Sequence, residues 1–170
     1  MQPTFIAVDA VREFGDLTMF LCRHEWPFHR ARRLVPEAVQ RMCFSLPTTR
    51  SFWIDVDAGH VGLLRVQDLD DVGVGSPVFD LRVAPEFRCR GIGRRAVNWM
   101  SAMVFREYSD ARRVEAATRM DNAAMRRVLE RCGFQLEGRL RQTWPTDTGE
   151  RMDTAVYGLL RCDFEAQVSH

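Results

Sequence analysis

The sequence predicts a mixed α/β fold, with helices packed on a mixed β-sheet in a single domain over residues 1–170. Three observations predict it. Short apolar runs of strand length alternate with segments whose apolar residues recur at helical spacing. Turn signals separate them, as at Asp57-Ala58-Gly59 and around Gly91 and Gly93. The composition, 46% hydrophobic and 28% charged, is that of a globular protein, and the length suits one core.

The elements follow in order. Residues 4–10 (TFIAVDA) suit a first strand. Helical spacing comes next at Phe14, Leu17 and Leu21. It returns at Val39, Met42, Cys43 and Leu46, with Pro36 placed for a first helical turn. Strands at 51–56 and 61–69 are joined by Asp57-Ala58-Gly59 as a hairpin, and Asp68, Asp70 and Asp71 mark the loop beyond. The strand 78–83 (VFDLRV) feeds a glycine loop. The helix after it, over about 93–107, presents Ala96, Met100, Met103 and Val104 on one face. A strand at 113–118 leads to a helix capped near Asp121, with Met125, Val128, Leu129 and Cys132 in helical register. Gly133 reads as its C-cap. Two closing strands fall within 135–144 and 149–164.

Charge and cysteine usage exclude several classes. A net charge of +1 gives no global pull toward nucleic acid or membrane. No apolar run reaches the length of a membrane span, and the N-terminus lacks a signal-peptide layout. All 24 basic residues are arginine, which reads as coding bias. Cys22, Cys43, Cys89, Cys132 and Cys162 are odd in number, scattered, and form no CxxC pair. That pattern argues for a reducing, cytoplasmic setting, and against a disulfide framework or a metal site.

The chemistry concentrates in 88–95 (RCRGIGRR). A glycine turn that opens a helix leaves backbone N–H groups exposed at the positive end of the helix dipole. Arg88, Arg90, Arg94 and Arg95 around it point to a phosphate or pyrophosphate. A P-loop is excluded, because Arg94 and Arg95 follow Gly93 where Lys-Ser/Thr is required. A dinucleotide fingerprint is formally present as Gly91, Gly93 and Ala96, with Glu115 as ribose acid, and would make the protein an oxidoreductase. Against it, residues 84–88 intervene between the strand and the glycines. Cys89, inside the loop, is a candidate nucleophile, its thiolate favoured by the neighbouring arginines.

Segment 83–97 (VAPEFRCRGIGRRAV) resembles the acetyl-CoA-binding core of the GNAT superfamily of N-acyltransferases, with its Arg/Gln-x-x-Gly-x-Gly/Ala signature at Arg88, Gly91 and Gly93. Further on, 113–134 carries the Asn and Gly-Phe pair of the same superfamily at Asn122, Gly133 and Phe134. The closing segments 135–144 and 149–164 resemble the RimJ/RimL branch, named for ribosomal-protein N-terminal acetyltransferases. The resemblance extends over about 50–164.

The resemblance implies a GNAT fold, a central, mostly antiparallel sheet flanked by helices, in which two parallel strands, 78–83 and 113–118, splay apart. It implies direct transfer of acetyl from acetyl-CoA, without metal, to a primary amine of a small molecule, peptide or protein N-terminus. Amides near Leu81 and Val83 would hold the pantetheine and polarise the thioester carbonyl. Arg88, Arg90, Gly91, Ile92, Gly93 and Arg94 would hold the phosphates. Asn122 would contact the cofactor or a water beside it, or else only cap its helix. A non-catalytic acyl-CoA-binding regulatory module is the alternative, and a homodimer is compatible with either.

Catalytic groups are less defined. Many members place a Tyr acid where this chain has Leu129, so Tyr157 is the remaining candidate. A thiol of pKa ~8.5 also leaves without full protonation. Asp80 and Glu115, acids inside apolar strands, are candidate bases, or else ion-pair partners of Arg82 and Arg119. His24, Glu25, Trp26 and His29, in 24–29 (HEWPFH), lie where the family builds one lip of the acceptor groove. A surface loop with incidental histidines is the other reading of that segment.

Overall fold

The computed structural model describes residues 2–70 and 72–168; Asp71 of the expected acidic loop lies outside them. The elements are β1 (Thr4–Ala7), α1 (Phe14–Arg23), α2 (Pro36–Gln40), β2 (Arg50–Val56), β3 (Gly59–Gln67), β4 (Val78–Val83), α3 (Ile92–Glu107), β5 (Arg113–Arg119), α4 (Ala123–Arg131), β6 (Gln135–Pro145), β7 (Arg151–Leu160) and α5 (Arg161–Val168). They form a mixed α/β fold with two antiparallel half-sheets, ordered β1-β2-β3-β4 and β5-β7-β6. Among the described residues no helix is long and apolar enough to cross a membrane.

Strand alternation explains why β2 and β3 read as nearly continuous apolar runs. Phe52, Ile54, Leu64 and Val66 point into one core, shared with Met100 of α3 and Leu129 of α4. Trp53 and Leu63 point the other way, into a second core with Leu17 and Leu21 of α1 and Val39 of α2. With both faces covered, the polar-out alternation of a half-exposed sheet has no place to show.

Three boundaries differ from the sequence reading. The first strand stops at Ala7 because Asp9 turns the chain, its carboxylate accepting the amides of Val11 (3.2 Å) and Arg12 (3.1 Å). α2 has five residues, Pro36–Gln40, and does not extend through Met42 and Cys43 to Leu46. Beyond it Leu46 and Thr49 bond reciprocally (3.0 and 3.3 Å), closing a tight turn that leaves Leu46 exposed. α5 was absent from the sequence expectations. Its Arg161 donates to the carbonyls of Phe105 (2.8 Å), Tyr108 (2.7 Å) and Ala111 (2.9 Å), so a helix-terminal guanidinium satisfies the otherwise open C-terminal end of α3.

Gly62 is required by packing. A Cβ there would sit 2.6 Å from the Arg82 carbonyl oxygen and 2.9 Å from Ile54 Cδ1. Gly62→Ala is expected to destabilise the protein by about 1–3 kcal/mol through overpacking. A lower urea midpoint at unchanged slope is the expected result, and a wild-type midpoint would count against this packing.

Candidate active site

The two half-sheets meet where β4 and β5 lie side by side, brought together by the crossover through α3. One backbone bond joins them, Glu115 N–H to Pro77 O at 2.9 Å, and among the described residues no other follows. The open edges can be identified from register. Ala84 N–H donates to Val61 O (2.9 Å), and hydrogen-bonded pairs alternate in an antiparallel ladder. Arg82 and Asp80 therefore exchange their bonds with Leu63 and Arg65 of β3. The amides of Leu81 and Val83 face β5 and have no strand to pair with.

The glycine loop lies at the C-terminal end of β4, after a 3₁₀ turn at Pro85–Phe87. That turn separates strand from glycines and so disfavours the dinucleotide geometry. Gly91 has φ +78° at the start of α3, a conformation that favours glycine. Arg95 N–H bonds to Gly91 O (3.1 Å), which leaves the first-turn amides of Ile92, Gly93 and Arg94 as the orphan donors of a 16-residue helix. A Cβ on Gly93 would lie 3.9 Å from Leu81 and 3.8 Å from Val128, so Gly93 faces the junction of β4 and α4. The arginines divide. Arg90 is exposed over the Phe87 ring (5.5 Å), and Arg94 is exposed on α3. Arg88 turns away, donating to Val83 O (2.9 Å) and Glu25 O (3.2 Å).

Asn122, next to Asp121, caps α4. Its Oδ1 accepts Met125 N–H (3.2 Å), and its Nδ2 donates to Thr118 Oγ1 (3.0 Å). Both ends of this buried amide are engaged. Leu129 is fully buried in the core. Tyr157 is also buried, its hydroxyl donating to Glu130 (3.0 Å) and accepting from Arg126 Nε (3.0 Å). Burial pushes the phenol above its ordinary pKa, so it stays protonated at neutral pH.

The loop 24–29 runs across the mouth of the gap and touches both strands. On the β4 side His29 Nε2 lies 2.9 Å from Asp80 Oδ1. On the β5 side Arg119 Nη1 donates to Pro27 O (3.1 Å), and its guanidinium covers the Phe28 ring (5.3 Å). Trp26, expected to line the acceptor groove, is instead 1% exposed. Its indole N–H donates to Leu21 O (2.9 Å), and Arg82 stacks on its ring (5.2 Å), so it packs in the second core and offers no surface to a ligand. His24 packs edge-on to Phe20 (5.2 Å). Glu25 is held between Arg32 and Arg33.

Beneath the loop lies a charged cluster. Asp80 accepts from Arg82 Nε (3.1 Å) and faces Arg65 Nη1 (3.8 Å). Burial pushes the Asp80 carboxyl up, but the hydrogen bond from His29 and the guanidiniums of Arg82 and Arg65 outweigh it and hold the group well below the usual carboxylate range. His29 Nδ1, Arg65 Nε and Arg82 Nη1 are buried with no hydrogen-bond partner. Arg65 has no counterpart among the sequence expectations. Its signal was an arginine inside the apolar run of β3. Glu115 lies elsewhere, at the joined end of β4 and β5, paired with Arg113 (3.1 Å).

A model of the acetyltransferase (GNAT) family matches residues 14–134. No curated protein matches the chain. Among solved structures, a spermidine N-acetyltransferase chimera from Vibrio cholerae and hSSAT superposes with a TM-score of 0.77 at 18% identity, covering 97% of this chain and 99% of its own. The Vibrio cholerae spermidine N-acetyltransferase in complex with CoA and spermine gives 0.72 at 17% identity, covering 96% and 98%. The ribosomal-protein-S18-alanine N-acetyltransferase of Escherichia coli gives 0.72 at 14%, covering 94% of each chain. At these identities the likeness is one of fold.

Proposed function

The chain belongs to the acetyltransferase (GNAT) family, and from that premise we propose that it transfers the acetyl group of acetyl-CoA directly to a primary amine bound in the same ternary complex. The observation that carries this reading is the gap between β4 and β5, with unpaired amides on its edge and the first turn of α3 beside it. An extended amide-bearing chain such as pantetheine suits the strand edge at Leu81 and Val83. The amides of Ile92, Gly93 and Arg94, with the Arg90 and Arg94 side chains, suit a pyrophosphate. The donor supplies the activated acyl group; the chain supplies its placement and the donors that polarise its carbonyl. Asn122 supports this by fixing the start of α4, and Arg88 by tying the 24–29 loop to the end of β4.

Charge beneath and beside the loop supports a choice of acceptor. Among the described residues Arg65, Arg82 and Arg119 pair with two carboxylates, Asp80 and Asp121, while Arg88 donates to two carbonyls. This surplus of guanidinium favours a single amine beside a neutral or anionic group, such as an amino-acid or peptide amine, over a polyamine. Thiol release measured with glycinamide, an alanyl dipeptide and spermidine tests it. Spermidine as the best acceptor would reverse the choice, and no amine-dependent release would favour the non-catalytic acyl-CoA-binding reading.

Gly93→Val fills the junction of β4 and α4 against Leu81 and Val128. It is expected to weaken acetyl-CoA binding about tenfold or more, or about 1.4 kcal/mol, with little change in melting temperature. Unchanged affinity by calorimetry would remove the loop from the donor site. The RimJ/RimL-like placement rests on the closing segments 135–144 and 149–164. The five free cysteines suit a cytoplasmic setting. A homodimer would cover the half-exposed Leu136 and Leu140 on β6, which sedimentation at micromolar concentration tests.

A further inference from the structure

We propose that His29 takes the proton from the acceptor amine, with Asp80 as the carboxylate that positions it. This rests on the acetyl-transfer reading above. His29 Nε2 and Asp80 Oδ1 are 2.9 Å apart. An ionised carboxylate only accepts, so Nε2 carries a ring proton, and in the neutral imidazole Nδ1 is then left with its lone pair. Among the described residues Nδ1 has no hydrogen-bond partner, and it is buried. A buried polar atom without a partner is unfavourable by itself, and an ammonium group admitted by a small outward shift of the 24–29 loop would satisfy it.

Placement supports the assignment. The ring is held from one side by Trp26 (centroids 6.1 Å apart), and His29 N–H donates to Trp26 O (3.0 Å). The side chain itself is 25% exposed, at the mouth of the gap where the loop spans β4 and β5.

The surrounding charges each have another task. Arg82 of β4 and Arg65 of β3 pair with Asp80 and keep it ionised. Arg119 of β5 is engaged by Asp121 and Pro27 O, and Glu25 of the loop by Arg32 and Arg33. Among the described residues no second carboxylate pairs with His29. Asp80, held so acidic, is a poor base and a steady orienting charge.

In the step itself, the ammonium gives one proton to His29 Nδ1. The freed nitrogen lone pair then attacks the thioester carbonyl carbon. The C–S bond breaks with its electron pair on sulfur, and the second N–H proton reaches the thiolate through solvent. The imidazolium, held by Asp80, returns its proton to water. No oxidant or further reactant is needed.

The test compares wild type with His29→Gln, His29→Ala and Asp80→Asn, using the most active amine of the panel at saturation. His29→Gln is expected to lower kcat about 10²-fold at pH 7, with acetyl-CoA affinity by calorimetry and melting temperature near wild type. The deficit should shrink at high pH, where the amine is already neutral, and added imidazole should restore part of the rate of His29→Ala. Asp80→Asn should lower kcat less than His29→Gln and gain nothing from imidazole. A folded His29→Gln with wild-type kcat across pH on an active wild-type background would overturn the assignment alone. A wild type that binds acetyl-CoA but releases no thiol with any amine overturns the acetyl-transfer reading, and this assignment with it. If Asp80→Asn unfolds, the two His29 variants decide.

Discussion

Trp26→Ala is expected to lower the free energy of unfolding by about 3–5 kcal/mol, the range for removing a buried large aromatic side chain. The indole is 1% exposed, its N–H is spent on Leu21 O, and the guanidiniums of Arg82 and Arg88 lie 5.2 and 5.9 Å from its ring. Its backbone also organises the loop, accepting His29 N–H at 3.0 Å and donating to Arg32 O at 2.7 Å. The loss should therefore show as a lower denaturant midpoint first, and as a rate defect only through a displaced His29. Trp26→Phe, which keeps most of the apolar volume, should recover much of the stability. A near-wild-type midpoint for Trp26→Ala would mean that the indole is dispensable, and would reopen a ligand-facing role for it.

Asp80→Ala is the second large effect. It leaves the buried Arg65 and Arg82, each 7% exposed, facing one another without their shared carboxylate. Removing one partner of a buried ion pair costs about 3–5 kcal/mol, and a carboxylate one-fifth exposed belongs at the lower end, about 3 kcal/mol. The pH dependence has a definite sign. The folded-state pKa of Asp80 lies below its ordinary value of 3.8. Its contribution is therefore complete above that value and declines as the pH falls below it. Wild type should lose stability on acidification through this window, and Asp80→Ala should lose less of it. Parallel acid limbs for the two proteins, followed by thermal melts, would show that the cluster does not couple to folding.

The glycine loop was legible because its meaning is local: Gly91, Gly93 and the helix after them lie within a few residues of one another. The strands β2 to β5 were legible for the same reason, as apolar runs bounded by turns. The roles of Trp26 and His29 were not. Nothing in 24–29 says that one aromatic turns inward while the neighbouring imidazole meets Asp80, 51 residues away. Arg82, two residues along β4 from Asp80, was legible as its partner; Arg65 was not, because only the register Arg65↔Asp80 brings it to that carboxylate. α5 lacked a clear apolar face, and what holds its start is Arg161 bonded to carbonyls contributed by α3 and the turn after it.

The single backbone bond between Pro77 and Glu115 has a bearing on association. A sheet normally carries its unpaired strand edges at its rim, where another chain can add to them and start aggregation. Here two such edges face each other between β4 and β5, with the 24–29 loop laid across them through Pro27 and His29. The donors and acceptors that make this part of the fold receptive to an extended ligand are thus recessed from a second polypeptide. A flexible chain one strand wide can enter; a folded neighbour cannot. Loosening the loop would expose that edge, so variants that free it should form β-rich aggregates at temperatures where wild type stays monodisperse.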